Sequence, residues 1–420
     1  MGEWKMTALG EVADVIMGLS PKGDTYNQKK DGIPLLNGPT EFGPYHPHAI
    51  LYTTDPARFA EPGDLLFCVR GSTTGRMNWA DRQYAIGRGI AAIRAKTNGK
   101  DTFFAYCCIC DSMKRLLSFT SGSVFPNLST GDINAFEIPW PEESVRTCIA
   151  HILGTLDDKI ELNRRMNRTL EKMAAALFKS WFIDFDPVHA KADGRDTGLP
   201  AEIADLFPDS FDDSDLGPIP KGWTMGSLGD VADSPRRGVN PSDVPPTTPY
   251  IGLEHMPRRC IALDAWGRAE DVASGKSQFK QGEILFGKLR PYFHKVGIAP
   301  IDGVCSTDIV VVTPKSQDWH GYVISLVSSK AFVDYTDSHS AGTKMPRTNW
   351  KDMSRYPLTL PPLSVAKAFQ SHVADFHRRI MLNVRQDRRL AVLRDALLPK
   401  LMSGEIEVCD FVIIGKEVEA

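Results

Sequence analysis

The apolar positions of this chain settle into a helical period twice. Between residues 142 and 182 there is no proline and one glycine. Apolar residues fall there at Ile149, Ile152, Leu156, Ile160, Met166, Leu170, Met173, Leu177 and Trp181. Spacings of three and four dominate, which predicts a long helix with a coiled-coil-like stripe. Val365, Phe369, Val373, Phe376, Ile380, Leu390, Leu393 and Leu397 repeat the pattern near the other end. Each run opens after a proline-bounded stretch, WPEES or LPPLS, as helices often do. Pro399 is expected to end or kink the second helix, and Gly404 to cap a last turn beyond it. About 40 residues at 1.5 Å each make a rod of roughly 60 Å.

Ahead of each helix the pattern shortens to strand-length apolar runs among Gly and Pro. Asp64–Arg70 and Gly89–Ala95 read as strands, and Glu283–Arg290 and Asp308–Pro314 as their partners. Phe103–Phe119 and Tyr322–Thr336 read as helical. The class this predicts is α+β: two globular α+β domains in tandem, each followed by a long helix.

The chain is indeed written twice. WKMTALGEVAD at Trp4–Asp14 recurs as WTMGSLGDVAD at Trp223–Asp233. Glu61–Phe67 answers Lys280–Phe286, and Ser121–Asn127 answers Ala341–Arg347. Asp132 matches Asp352, Ser144-Val145 matches Ser364-Val365, and Asn163 matches Asn383. This period is far longer than a solenoid repeat, so the duplicated unit is a whole domain with its connector. Pseudo-two-fold symmetry is the expected consequence. The divisions are 1–141 (first domain), 142–182 (first helix), 183–217 (linker), 218–361 (second domain), 362–404 (second helix) and 405–420 (tail).

Neither stripe is expected to stay wet, because eight or nine large side chains are worth on the order of 10 kcal/mol when buried. Each helix lies on its own domain or pairs with the other. In a pair, the first helix leads from domain one to domain two and the second leads back, so they run antiparallel. Asn163 and Asn383 hold equivalent positions, either fixing register in the seam or facing solvent.

Composition is that of an ordinary globular protein, with 42% hydrophobic and 24% charged residues. At 420 residues the chain can build two to three cores. No apolar run is long enough to span a membrane, and the N-terminus lacks a signal-peptide layout. The scattered cysteines fit reduced thiols in the cytoplasm, with Cys107, Cys108 and Cys110 expected to pack in an apolar helix. Net charge is −3, but residues 183–217 hold ten acidic and two basic residues. Removing their −8 from −3 leaves +5 for the rest, a mildly basic remainder compatible with DNA. That acidic segment, rich in Pro and Gly, reads as an exposed linker.

Catalytic signatures do not assemble. Gly275-Lys276-Ser277 resembles the end of a phosphate loop, but Glu270 stands where that loop needs glycine, so a surface loop is expected. Gly87-Arg88-Gly89 reads as a turn. Asp157-Asp158-Lys159 mimics part of a nuclease motif but lies inside the first helix. No metal site is expected. What the domains do offer is cationic side chains near Gly-rich loops. Candidates for DNA contact are Lys22, Arg70, Arg76 and Arg88 in the first domain. In the second they are Arg236, Arg237, Arg258, Lys288, Arg290, Lys344 and Arg347. Lys and Arg neutralise phosphates, and Arg can also grip base edges through two hydrogen bonds.

The matched openings, the P-G-D-L-L-F and Q-G-E-I-L-F runs, Ile149–Phe182 and Leu393–Ile406 together resemble the specificity subunit of type I restriction–modification systems. The resemblance covers almost the whole chain and is most specific in the helices. It implies two target recognition domains, each reading half of a bipartite, asymmetric DNA site. It implies an antiparallel helix pair that sets the spacer and docks two methyltransferase subunits, which recruit restriction/translocase subunits. No cofactor is expected in this chain; S-adenosylmethionine, ATP and magnesium would belong to the partners. Three other readings stand beside it: a diverged single-chain nuclease or methyltransferase, a non-catalytic coiled-coil scaffold, and an orphan specificity subunit serving methylation alone.

Overall fold

A computed structural model describes residues 4–119, 126–342 and 344–408. The chain divides into two compact units, residues 1–161 with 390–420, and residues 162–389. Two long helices, Glu143–Phe182 and Leu363–Met402, pass from one unit to the other.

Both units centre on a four-stranded antiparallel sheet of the same order. In unit 1 it runs Ala13–Met17, Ile90–Ala95, Leu65–Cys68, Met77–Trp79. In unit 2 it runs Ala232–Asp233, Ile309–Pro314, Ile284–Gly287, Val296–Ile298. All four expected strands are present. Their near-continuous apolar runs follow from burial on both faces. Leu65 and Phe67 enter the core shared with the helices, while Leu66 enters a second core against a five-stranded sheet. Ile284 and Phe286 against Leu285 repeat this alternation in unit 2.

The five-stranded sheets share four strands and differ in the fifth. In unit 1 Tyr26–Asn27 pairs beyond Leu51–Thr53. In unit 2 Gly238–Val239 instead joins the opposite edge, beside Lys276–Phe279. The expected helical stretches appear as pairs, Thr102–Asp111 with Met113–Leu117 and His320–Val327 with Lys330–Ser338. Cys107 and Cys108 are buried in the first of these, packing as expected.

Each unit is completed by both long helices. Cys148, Ile149 and Leu153 from the start of the first helix join Leu401 and Met402 from the end of the second in the core of unit 1. In unit 2, Phe178, Trp181 and Phe182 from the end of the first helix meet Val365, Phe369 and Val373 from the start of the second. The Phe182 and Phe369 ring centroids lie 5.0 Å apart. The two packings offered by the stripes therefore occur together: helix on helix, and both on the domain. Trp223 caps the end of the first helix, with its ring 6.0 Å from Phe182. Trp4, its repeat partner, lies against Gly404 just past the end of the second.

Within each unit the helix segments run antiparallel, and polar groups interrupt their seam. In unit 2 Asn163 Nδ2 donates to Asp387 Oδ1 at 2.6 Å, and Asn383 Nδ2 donates to Asn167 Oδ1 at 2.8 Å. Asn163 and Asn383 are 0% and 1% exposed, so both belong to the seam. In unit 1 Arg394 Nη1 donates to Asp157 Oδ1 at 2.7 Å. Burial lifts the Asp157 carboxyl above its usual range despite Arg394. The nuclease-like Asp157 is thus half of a seam ion pair. Met173 and Leu393, expected on the stripes, are 48% and 47% exposed, because the buried face turns through these polar positions instead.

Three expectations need correction. The segment 183–217 is no exposed linker. It forms the helices Asp186–Ala192 and Ala201–Ala204 and the first strand of a short hairpin, Phe211–Asp212 paired with Ile219–Pro220, and it buries Val188 and Phe207 in the core of unit 2. Its acidic residues occupy the outer face while the intervening apolar ones anchor it. Pro399 does not end the second helix, which runs on to Met402. Leu401 and Met402 are buried in unit 1 and hold that turn, after which Gly404 at φ 71° breaks the helix. Lys276-Ser277 is no surface loop but the start of a strand, with Lys276 buried and its Nζ donating to Ser274 O at 2.6 Å. Part of the Ser121–Asn127 repeat and most of the 405–420 tail lie outside the described residues.

His377, on the second helix, is 3% exposed and faces His320 across 5.8 Å. Burial, and then the charge of His320, lowers its pKa to about 3. Its folded-state pKa lies below the unfolded value, so the stability tied to its neutral form is present above about pH 6.5 and is lost as pH falls toward 3. Thermal unfolding at pH 7.5 and pH 5 checks this. The natural chain is expected to lose more stability on acidification than His377→Leu.

Candidate nucleic-acid interface

Several of the cationic candidates lie on three loops that leave the central sheet of each unit. One residue ties the loops together. In unit 1 it is Val69, whose N–H donates to Gly89 O at 2.9 Å and whose carbonyl accepts from Leu128 N at 3.0 Å. In unit 2 it is Lys288, which donates to Asp308 O at 2.9 Å and accepts from Thr348 N at 3.1 Å. The next residue bridges the third loop, as Arg70 with Asn127 and Leu289 with Arg347. The one after donates to a proline carbonyl, Gly71 to Pro126 at 3.0 Å and Arg290 to Pro346 at 2.7 Å. The backbone frame is therefore the same in both units, while the side chains standing on it differ.

The repeated acids flanking this frame are structural. Asp132 accepts from the Ser129 amide at 2.8 Å in a helix-capping box, and Asn349 caps the Asp352 amide in unit 2. Asp64 and Glu283 also correspond. Each accepts from the amide three residues earlier at 2.7 Å, and each is buried. Asp64 is paired by Arg94 Nε at 2.6 Å, whereas Glu283 is paired by both terminal nitrogens of Arg237. Burial opposes ionisation of Glu283, yet Arg237, the Lys280 amide and Thr313 hold it below the usual carboxylate range.

That pair sets Arg237 apart from the other candidates, because both its terminal nitrogens are held by a buried carboxylate. The other candidates fall into place around the frame. In unit 1 Arg70 and Arg76 flank the Gly71–Gly75 turn, and Arg70 Nε donates to Asn127 Oδ1 at 3.1 Å. Arg88 sits on the 87–89 turn, where Asn37 stands so close to Gly87 and Gly89 that no side chain fits. Its amide meets Ser20 Oγ at 3.4 Å, two residues before the exposed Lys22.

In unit 2 Lys288 and Arg236 line a cavity of about 670 Å³ together with Asn349 and Trp350. Arg347 is 53% exposed at its side chain and pairs with Asp308 at 3.2 Å. Arg290 and Arg258 lie over the Phe293 ring, at 5.9 and 4.1 Å from its centroid. Lys344 is exposed, and its carbonyl lies 3.5 Å from Arg290 Nη2. Burial, followed by the charge of Arg258, lowers the pKa of nearby Lys295.

Sequence reasoning missed the aromatics of this surface. Tyr292 is 49% exposed and its ring lies 4.8 Å from Phe293. The available signal was an aromatic pair in the run Arg290-Pro-Tyr-Phe-His294, between candidate cations. Among the described residues no group of His, Cys, Asp and Glu is arranged to hold a metal ion, and no helix is long and apolar enough to cross a membrane.

The family model of the type I restriction modification DNA specificity domain matches residues 1–172 and 220–384, once over each unit. The chain belongs to this family. It is 26% identical over 384 residues to the EcoDI type I specificity subunit of Escherichia coli, spanning 86% of this chain and 78% of that one. It is 32% identical over 172 residues to the putative MjaX specificity subunit of Methanocaldococcus jannaschii, 40% of each chain. A match to the MjaIX specificity subunit of the same organism, at 27% identity, spans 70% of this chain and 66% of that subunit. In fold the chain is similar to the crystal structure of a type I S subunit from M. genitalium. The TM-score is 0.56 at 15% identity, covering 95% of this chain and 96% of that one. The α+β expectation holds.

The geometry separates two kinds of cationic side chain in this specificity-domain chain. Arg258→Ala and Lys344→Ala are expected to weaken binding to duplex DNA, each lowering the slope of log K against log salt by about one, with unchanged thermal unfolding. Arg237→Ala is expected to strand the Glu283 carboxylate and destabilise unit 2 by about 3 kcal/mol. Salt-series binding and thermal melts check the contrast.

Proposed function

We propose that this chain is the DNA-recognition subunit of a type I restriction–modification complex, and that each unit reads one half of a bipartite, asymmetric site. The observation that carries the proposal is the duplicated loop frame. One backbone arrangement presents Arg70 and Asn127 in unit 1, and Lys288, Arg290 and Arg347 in unit 2. A shared scaffold with different donors suits two different half-sites, since base edges are distinguished by donor pattern and backbone contacts position the protein.

The long helices fit the part of a spacer, because their polar seam admits one register. They also carry exposed apolar side chains, Leu162, Met173 and Leu382 in unit 2 and Val392 and Leu393 in unit 1. Two methyltransferase subunits are the partners this reading assigns to them, with restriction/translocase subunits joining through those. The chain itself is read as non-catalytic. S-adenosylmethionine, ATP and magnesium would be used by the partners, in the cytoplasm where the DNA is.

Methylome sequencing tests the proposal, in cells expressing the cognate methyltransferase subunit with and without this chain. A split motif methylated only when the chain is present is expected. A stable complex without chain-dependent methylation would favour a scaffold.

A further inference from the structure

Six non-glycine residues among those described have positive φ, and three of them, Arg259, Arg290 and His294, lie together beside Phe293. The Arg259 amide donates to His294 O at 2.8 Å, and the His294 and Phe293 amides donate into the turn that Arg290 begins. Arg290 is the informative one. It occupies the frame position held in unit 1 by Gly71, whose φ is 83°, and takes φ 50° itself. Glycine reaches this region freely, whereas an L side chain there is strained. The duplicated frame needs no side chain at this position, as Gly71 shows. An arginine kept there against local backbone preference points to a use for its side chain.

The guanidinium is only lightly bonded within the fold. Nε is shielded from solvent and has no hydrogen-bond partner among the described residues. Nη2 reaches only the Lys344 carbonyl, at 3.5 Å. With Nε turned inward and the Nη2 contact lying in an exposed setting, the terminal nitrogens are the end a ligand can reach, and two such N–H groups match two adjacent acceptors. Phe293 supports the group from beneath while Arg258 lies closer over the same ring, so the side chain is held rather than swinging freely.

We propose that Arg290 is a specificity-determining residue of unit 2, reading a guanine of the second half-site by donating to its O6 and N7. This deepens the DNA-recognition reading and rests on it. Guanine is the base whose major-groove edge offers two neighbouring acceptors, and paired donation from arginine is its commonest specific contact. Unit 1 has glycine at this position and carries its cation one residue earlier, on Arg70, so the same frame reads its half-site differently.

The test uses the full chain assembled with its methyltransferase subunits, on duplexes randomised across both half-sites. Binding selectivity and thermal unfolding are measured for the natural chain, Arg290→Gly and Arg290→Lys. The natural chain is expected to demand a G·C pair at one position of one half-site. Arg290→Gly is expected to lose discrimination there by about 5- to 150-fold, the range for one such contact. Its unfolding midpoint should hold or rise, and the other half-site should be unchanged. Arg290→Lys, which keeps the charge without the two-donor edge, is expected to lose the same discrimination while retaining most affinity.

Undiminished discrimination at every position in either variant would overturn the proposal. So would a loss spread evenly over all sequences, which would make Arg290 a phosphate contact. Absence of sequence preference in the natural chain would instead overturn the DNA-recognition reading itself.

Discussion

Two amide hydrogen bonds in the seam of unit 2, from Asn163 to Asp387 and from Asn383 to Asn167, constrain the rest of the molecule. These groups are almost wholly buried among apolar neighbours. A slip of either helix would leave them buried without partners, at about 1–3 kcal/mol per group. An all-apolar seam would tolerate several registers at little cost, whereas this one selects a single alignment. The Asp157–Arg394 pair interrupts the seam of unit 1 in the same way. Register then decides which large side chains reach each core, because the end of each helix completes the unit it enters. Phe178, Trp181 and Phe182 fill unit 2, and Leu401 and Met402 fill unit 1.

With the scaffold fixed, variation is free to concentrate in the loops. Val69 and Lys288 organise three loops with matching backbone hydrogen bonds, which are indifferent to side-chain identity. Exposed positions on that frame can therefore change without loss of fold. The buried acids Asp64 and Glu283 show the opposite regime, where a change is tolerated only with compensation. Arg94 neutralises the first from a neighbouring strand, and Arg237 neutralises the second from the loop before Gly238–Val239. The strand that changes edges between the two five-stranded sheets follows the segments carrying Lys22 and Arg236, so these candidates enter their surfaces differently.

Much of this architecture was legible in the sequence. The two helices, the four central strands and the duplication came directly from period and repeated residues, since buried elements leave strong patterns. The polar seam was half legible: Asn163 and Asn383 were visible as a matched pair, but only packing could place them inside. The linker was misread because net charge reports the wet face of Asp186–Ala192 and says little about Val188 beneath it. The pairing of Arg237 was not legible, because its sequence neighbours do not reveal Glu283, which approaches from 46 residues away. Arg290 was named for its charge, but its left-handed backbone and the Phe293 platform exist only in three dimensions.

The spacer role proposed for the long helices rests on the register of their polar seam. It is tested most directly by inserting four residues at matched seam positions in both long helices and sequencing the methylated motif. Four residues add about 6 Å of helix, or about two base pairs at 3.4 Å each. The account predicts a spacer about two base pairs longer with both half-sites unchanged. A motif with the original spacer, or with an altered half-site, would contradict it.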